Sequence, residues 1–277
     1  MSTPSGTDRS LLIVVVLYGT APADSLTLKT LLVASASDHG FVGEIVVWDN
    51  SPKSFGENSL EGMKFSGFKV SYIESPDNPS LAWVYNEVSE GIEAGSYIIL
   101  DQDSELPADY FLELQNHLEA NSSVDLFLPL VYSGDRCVSP GKLFYFKGRH
   151  VSSPELGVRA SRNVLAITSG MVIRARYLRS RRFDERLSLY GIDTKFMLDY
   201  AESGKLLVVM PIKLEHNTAL WSDISADQML RRVQALVGSW PVVFEKRSLA
   251  RLLARCYGRL MLLRLAIRYR DSRFLFA

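Results

Sequence analysis

Ser96-Tyr97-Ile98-Ile99-Leu100-Asp101-Gln102-Asp103-Ser104 is a short apolar run that stops at an acid-amide-acid turn. Such a run, continuous rather than alternating, reads as a strand buried on both faces, as in a parallel sheet. Two more runs of the same kind lie N-terminal to it. Leu11–Leu17 ends at Tyr18-Gly19, and Glu44–Trp48 ends at the turn Asp49-Asn50-Ser51-Pro52. Helical spacing covers Leu26–Ala36, Ser80–Ile92 and Pro107–Leu118, the last with proline in its first turn, where no N–H is needed. Phe68–Ile73 and Val124–Leu130 complete the strands of this half. Strand and helix alternating in this way predict an α/β fold with a mostly parallel sheet flanked by helices.

Beyond Leu130 the pattern changes. Ser133–Asn163 is rich in Gly, Pro and Ser and has little periodicity, so it reads as a long excursion with room for a short hairpin. Order returns from Val164. A helix is expected over Ile192–Ser203, strands over Leu206–Met210 and Pro211–Glu215, and a helix over Asp223–Val237; Pro241 is expected to break the chain before a last helix to about Tyr269. The predicted organisation is one domain over 1–240, with a nucleotide half (11–130) and an acceptor half (131–240), followed by a helical extension over 241–277.

The chain has 277 residues, 47% of them hydrophobic and 22% charged, enough for a core without disulfide staples. Its 31 basic and 31 acidic residues balance, which argues against a nucleic-acid partner. The balance hides an asymmetry: residues 247–277 hold eight arginines and one acid, so the remainder is acidic. Cys137 and Cys256 are far apart and in no metal-ligand spacing, which predicts a reduced, cytoplasmic chain. Leu11–Gly19 lacks a small-residue cleavage site and reads as a strand rather than a signal peptide, and no run reaches the roughly 20 apolar residues of a membrane span.

In open α/β sheets ligands collect at the carboxyl ends of the strands. Tyr18-Gly19, Asp49-Asn50 and Asp101-Gln102-Asp103 all sit at such ends and should open onto one edge. Asp49 could grip a ribose or a base, or simply form an Asx turn. Asp101 and Asp103, two apart on extended chain, project to the same side; Mg²⁺ or Mn²⁺ shared with a substrate phosphate would relieve their repulsion. The alternative is a solvated acidic turn. An Asp-x-Asp after a strand also begins the haloacid-dehalogenase-like phosphatases, but Glu105 stands where their pattern wants Thr or Val.

The ordered set of motifs resembles the inverting family 2 glycosyltransferases of the GT-A fold, closest to their bacterial rhamnosyltransferase-like branch. Over residues 11–220 the resemblance is carried by Tyr18-Gly19, Val47-Trp48-Asp49-Asn50-Ser51, Asn78-Pro79-Ser80-Leu81-Ala82 with Asn86 and Gly91-Ile92, Leu100-Asp101-Gln102-Asp103-Ser104, Ile167-Thr168-Ser169-Gly170, Phe183-Asp184-Glu185, Asp193 and His216. Two places depart from it: the contexts of Pro79 and Trp48 differ where the family often has glycine, and Asp193-Thr194-Lys195 keeps the first acid of the base motif but has a cation for the second. The resemblance implies a metal-dependent transfer of a sugar, best matched to L-rhamnose from dTDP-L-rhamnose, onto a lipopolysaccharide or other cell-surface polysaccharide acceptor, free or lipid-linked. It implies nucleotide-sugar contacts at Tyr18, Gly19, Asp49, Asn50, Asn86, Asp101, Gln102, Ser169 and Gly170, metal ligation by Asp103 and His216, and Asp193 as the base. A UDP-hexose donor, or a catalytically silent glycan-binding homologue, are the alternatives. Trp83 and Tyr85 read as core.

Arg247, Arg251, Arg255 and Arg259 recur every fourth residue, continue with Arg264 and Arg268, and are interleaved with leucines. This predicts a basic amphipathic helix, suited either to an anionic membrane at the inner face of the cytoplasmic membrane or to packing on the acidic body.

Overall fold

A computed structural model of the chain describes residues 9–216 and 225–276. The elements in order are β1 (Ser10–Leu17), α1 (Leu26–Ser35), β2 (Val42–Asp49), β3 (Phe68–Glu74), α2 (Leu81–Gly91), β4 (Ser96–Asp101), β5 (Ser104–Glu105), α3 (Tyr110–Ala120), β6 (Leu126–Ser133), β7 (Arg136–Ser139), β8 (Gly141–Phe144), β9 (Lys147–Arg149), β10 (Gly157–Ala160), β11 (Val164–Leu165), β12 (Val172–Arg174), α4 (Ala175–Leu178), α5 (Ile192–Glu202), β13 (Leu206–His216), α6 (Ala226–Val243) and α7 (Ser248–Tyr269).

The main sheet runs β10-β13-β6-β12-β4-β1-β2-β3, with β5 added to β13 and β7 to β6. β1, β2, β3 and β4 are parallel; the unbroken apolar runs of β1, β2 and β4 suit strands covered on both faces, while β3, at the edge, alternates polar and apolar residues, and β12 is antiparallel to both β4 and β6. Alternate residues of β1 serve opposite faces. Leu12, Val14 and Val16 pack in one core with α2 and α5, while Leu11, Ile13, Val15 and Leu17 pack in the other with α1 and α3. In the register of the sheet Leu17 lies beside Asp49 and Val16 beside Asp101, so the three strand ends emerge together.

Two expectations are corrected. Leu206–Met210 and Pro211–Glu215 are one strand, β13; its register against β6 shifts between Val209 and Lys213, and that irregularity accommodates Pro211, which has no N–H for a ladder. Pro241 does not end the preceding helix. It sits exposed in the last turn of α6, where its missing N–H removes one bond only, and the helix ends at Val243. A boundary between 240 and 241 would therefore cut α6. The expected helix start at Asp223 lies outside the described residues, as does Asn217 after His216; the described part begins with Ser225, which caps α6 in a capping box with Gln228. The excursion after Ser133 forms β7, which folds back on β6, and a small β11-β8-β9 sheet, while β10 extends the main sheet.

α7 packs on the domain through one face. Ala250 and Ala254 join the main core, Leu262 and Leu265 join Met229, Val233 and Phe274, and Tyr257 sits among Phe146 and Trp240. Among the described residues, no helix is long and apolar enough to cross a membrane.

Candidate active site

Strand ends β1, β2 and β4 form the floor of the site, and their loops are tied to one another. Tyr18 N–H donates to Gln102 Oε1 (2.7 Å), and Gly19 N–H donates to Ser51 Oγ (2.7 Å). Asn50 accepts from Trp48 Nε1 (2.9 Å) and donates its amide to the Pro79 carbonyl (3.4 Å). Thr27 and Ser25, at the start of α1, hold the carbonyls of Asp101 and Gln102 through their hydroxyls.

Asp49 is wholly buried. Its carboxylate accepts from Ser51 N–H (2.9 Å), from Phe55 N–H (3.2 Å) and from the Tyr72 hydroxyl. Burial pushes its pKa up, but these donors outweigh burial and leave it below the usual carboxylate value. Burial and the same contact push Tyr72 up to about 12, so it stays a donor. Asp49 therefore shapes the 50–55 loop from beneath. Sequence reading missed Tyr72, because its role depends on β3 lying beside β2.

Asp101, Asp103 and His216 each offer a ligand atom, and these atoms lie within 4.8 Å of one another. His216 Nδ1 is 3.3 Å from Asp103 Oδ1. It reaches the site because β13 pairs with β5, placing His216 opposite Ser104. A hydroxyl relay supports the cluster: Asp101 N–H donates to Ser169 Oγ (3.1 Å), which lies 2.6 Å from Ser104 Oγ, which lies 3.3 Å from His216 Nδ1. Two carboxylate oxygens and an imidazole nitrogen, all on part-exposed residues, are a fitting donor set for Mn²⁺ or Mg²⁺ with coordination positions left for phosphate and water. Asp101 has a raised pKa, first through burial and then through the Asp103 charge, with His216 and Ser169 opposing.

Asp193 sits in the first turn of α5 and accepts from Thr168 Oγ1 (3.1 Å). Burial, and then the charge of Asp101, raise its pKa to about 7 despite the Thr168 contact. Gly191 caps α5 at φ +86°, and a Cβ there would stand 2.7 Å from Val243 Cγ2, so α6 presses directly on the turn that carries Asp193. Tyr85, read as core, is buried beside both carboxylates; burial, Asp101 and Asp193 hold its pKa well above the ordinary value. Its place in the site depends on the turn of α2 facing α5, which no local pattern reveals.

Three residues singled out from sequence have other partners. Asn86 is buried; its amide donates to the Phe183 carbonyl (3.0 Å) and to Glu185 Oε1 (2.7 Å), and its oxygen accepts from Phe183 N–H (2.9 Å), which ties α2 to the 183–185 segment. Gly170, at φ +83°, meets protein where a side chain would project: a Cβ would lie 2.4 Å from Leu214 Cδ1 and 2.7 Å from Pro129 Cγ. Lys195 is buried and turned toward Asp199 (2.7 and 2.8 Å) and Glu245 (3.3 Å), linking α5 to the segment after α6.

No protein-family profile matches the chain, and no curated protein matches it in sequence. Solved structures do match in fold. Residues 1–349 of TarS from S. aureus superpose with a TM-score of 0.55 at 14% identity, covering 84% of this chain and 65% of that one. The same TarS fragment with UDP-GlcNAc gives 0.54 at 14%, covering 84% and 66%. GalNAc-T7 with UDP, GalNAc and Mn²⁺ gives 0.59 at 14%, covering 82% and 48%. The chain thus spans less than two thirds of the TarS fragment and about half of GalNAc-T7. These likenesses establish the fold as GT-A, a mixed α/β sheet flanked by helices with further helices at the C-terminus.

Proposed function

We propose that the chain is an inverting, metal-dependent glycosyltransferase that moves a sugar from a nucleoside diphosphate to a hydroxyl acceptor. One observation carries the reading: the Asp101-Asp103-His216 cluster lies where β4 ends beside the ends of β1 and β2, with the half-buried Asp193 of α5 close enough to feel the Asp101 charge. The loops tied by Tyr18, Gly19, Asn50 and Gln102 make the wall against which the nucleotide lies, with Asp49 holding that wall from below.

Asp103 and His216, with Asp101, would hold Mn²⁺ or Mg²⁺, which when bound supplies Lewis-acid neutralisation of the diphosphate leaving group. Asp193 accepts the proton of the acceptor hydroxyl as its oxygen attacks the anomeric carbon from the face opposite the diphosphate. The bond from that carbon to the diphosphate oxygen breaks, and its electron pair leaves with the diphosphate. A carboxylate that titrates at about 7 suits this role, since a base works best when its pKa is near the working pH. The Thr168 hydroxyl orients it.

For the donor we propose dTDP-L-rhamnose, on the resemblance of Leu100–Ser104 to the rhamnosyltransferase form, with a lipopolysaccharide or other surface glycan as acceptor. A UDP-hexose is the second reading, favoured by the UDP and UDP-GlcNAc complexes of the fold relatives. The silent-homologue reading leaned on Lys195 neighbouring the base, and Lys195 is engaged with Asp199 and Glu245 instead.

Calorimetric titration with dTDP, UDP and GDP, with and without Mn²⁺, tests the reading. Metal-dependent binding of dTDP supports the rhamnosyl donor, and preference for UDP replaces it. Absence of binding by any of the three in folded protein overturns the glycosyltransferase reading.

A further inference from the structure

α7 has two apolar faces, and only one is covered. Ala250, Ala254, Gly258, Leu262 and Leu265 face the domain. Leu249, Leu252, Leu260, Leu263 and Ile267 are 46–70% exposed on the opposite side, with exposed Cys256 between them. At about 100° per residue these six positions fall within an arc of about 80°, and from 249 to 267 they form a stripe about 27 Å long. Arg255 and Arg259 border the stripe on one side and Arg264 on the other, all exposed. α7 contains no acidic residue. The chain leaves its end with two further exposed apolar groups, Leu275 and Phe276, the latter 87% exposed.

We propose that this outward face of α7 seats the protein on an anionic lipid bilayer, lying in the interface with the leucines in the acyl boundary and the arginines among the headgroups. Charge complementarity selects this occupant. Copies of α7 docked stripe to stripe would set arginine rows against each other, and an uncharged partner would leave them without a role. The helix is too polar to span, so it lies flat. An acceptor carried on a lipid would then meet the site in two dimensions. The proposal itself rests on α7 alone and does not require the transferase reading.

Co-sedimentation of the full chain with vesicles tests it. Binding is expected to phosphatidylcholine vesicles containing phosphatidylglycerol, with little to phosphatidylcholine alone. Raising salt from about 0.1 M to about 1 M, which shortens the Debye length from about 10 Å to about 3 Å, should release it. Replacing Arg255, Arg259 and Arg264 by Gln should weaken binding by about fivefold per arginine. The combined Leu252→Ser, Leu260→Ser, Ile267→Ser variant should lose binding at least about tenfold, since burial of these side chains in the acyl boundary drives insertion. Its helical circular dichroism should be unchanged, because none of the three faces the domain. Wild-type protein that is folded and stays in the supernatant with phosphatidylglycerol vesicles at low salt overturns the proposal. So does a wild-type dimer that the serine variant converts to monomer without any vesicle binding, which would identify a second copy as the occupant. Undiminished binding by the serine variant overturns it as well.

Discussion

Asp193→Asn should stabilise the metal-free protein at neutral and alkaline pH and leave it unchanged in acid. In the folded chain the Asp193 pKa is raised from 3.8 to about 7, first by burial and then by the Asp101 charge. Between those values the folded state holds a proton that the unfolded state has released, so stability falls as pH rises across the window and is level above it. At 1.36 kcal/mol per pH unit the full displacement corresponds to about 4 kcal/mol. Asp193 is half-buried, so water screens part of this and about 2–3 kcal/mol is expected. Asn keeps the oxygen that accepts from Thr168 and carries no charge. Urea unfolding of both proteins in EDTA, from about pH 4 to about pH 9, should give curves that coincide at the acid end, with the variant gaining progressively up to about pH 7. Mn²⁺ added to the wild type should narrow the gap by offsetting the Asp101 charge. A difference independent of pH, or a wild type more stable than the variant at alkaline pH, would refute the reasoning and mean that Asp193 ionises unhindered.

His216→Ala should weaken Mn²⁺ affinity about 10- to 100-fold, measured by calorimetry, because it removes both a ligand and the end of the Ser169-Ser104 relay. Gly170→Ala should cost about 1–3 kcal/mol from its backbone conformation, and more from the clash with Leu214 and Pro129, which thermal unfolding would register. Lys195→Met should destabilise by about 1–3 kcal/mol, since Asp199 and Glu245 lose a buried cation; the pH profile of turnover should stay unchanged, and a shifted profile would place Lys195 in the chemistry after all.

Much of the fold was legible because β1, β2 and β4 are buried on both faces and so carry unbroken apolar runs that end at polar turns. That same pattern put Asp49, Asp101 and Asp103 on one edge. The antiparallel part was harder. β12 has three residues, and β7 to β11 have two to four each, several half-exposed, so neither period 2 nor a long apolar run marks them. Pro211 and Pro241 misled for a common reason: each removes one N–H, and a register shift in one case and the end of a helix in the other absorb that loss. Within the site, residue type pointed to the carboxylates and to His216. It could not show that Asn86 is consumed by Phe183, that Gly170 makes room for Leu214, or that Tyr72 clamps Asp49, since each depends on a partner far along the chain or across the sheet.

The pairing of β13 with β5 joins residues more than a hundred positions apart, and only that pairing brings His216 to the two aspartates. A cation site built this way is expected to assemble late in folding, because its ligands are joined across so long a stretch of chain. Closing so long a loop is slow, and β13 must also find its place beside β6 before the third ligand arrives. The ion would therefore act as a latch on the finished sheet. It should slow unfolding while leaving the refolding rate unchanged, in contrast to small metal-nucleated domains, whose chains fold around the ion.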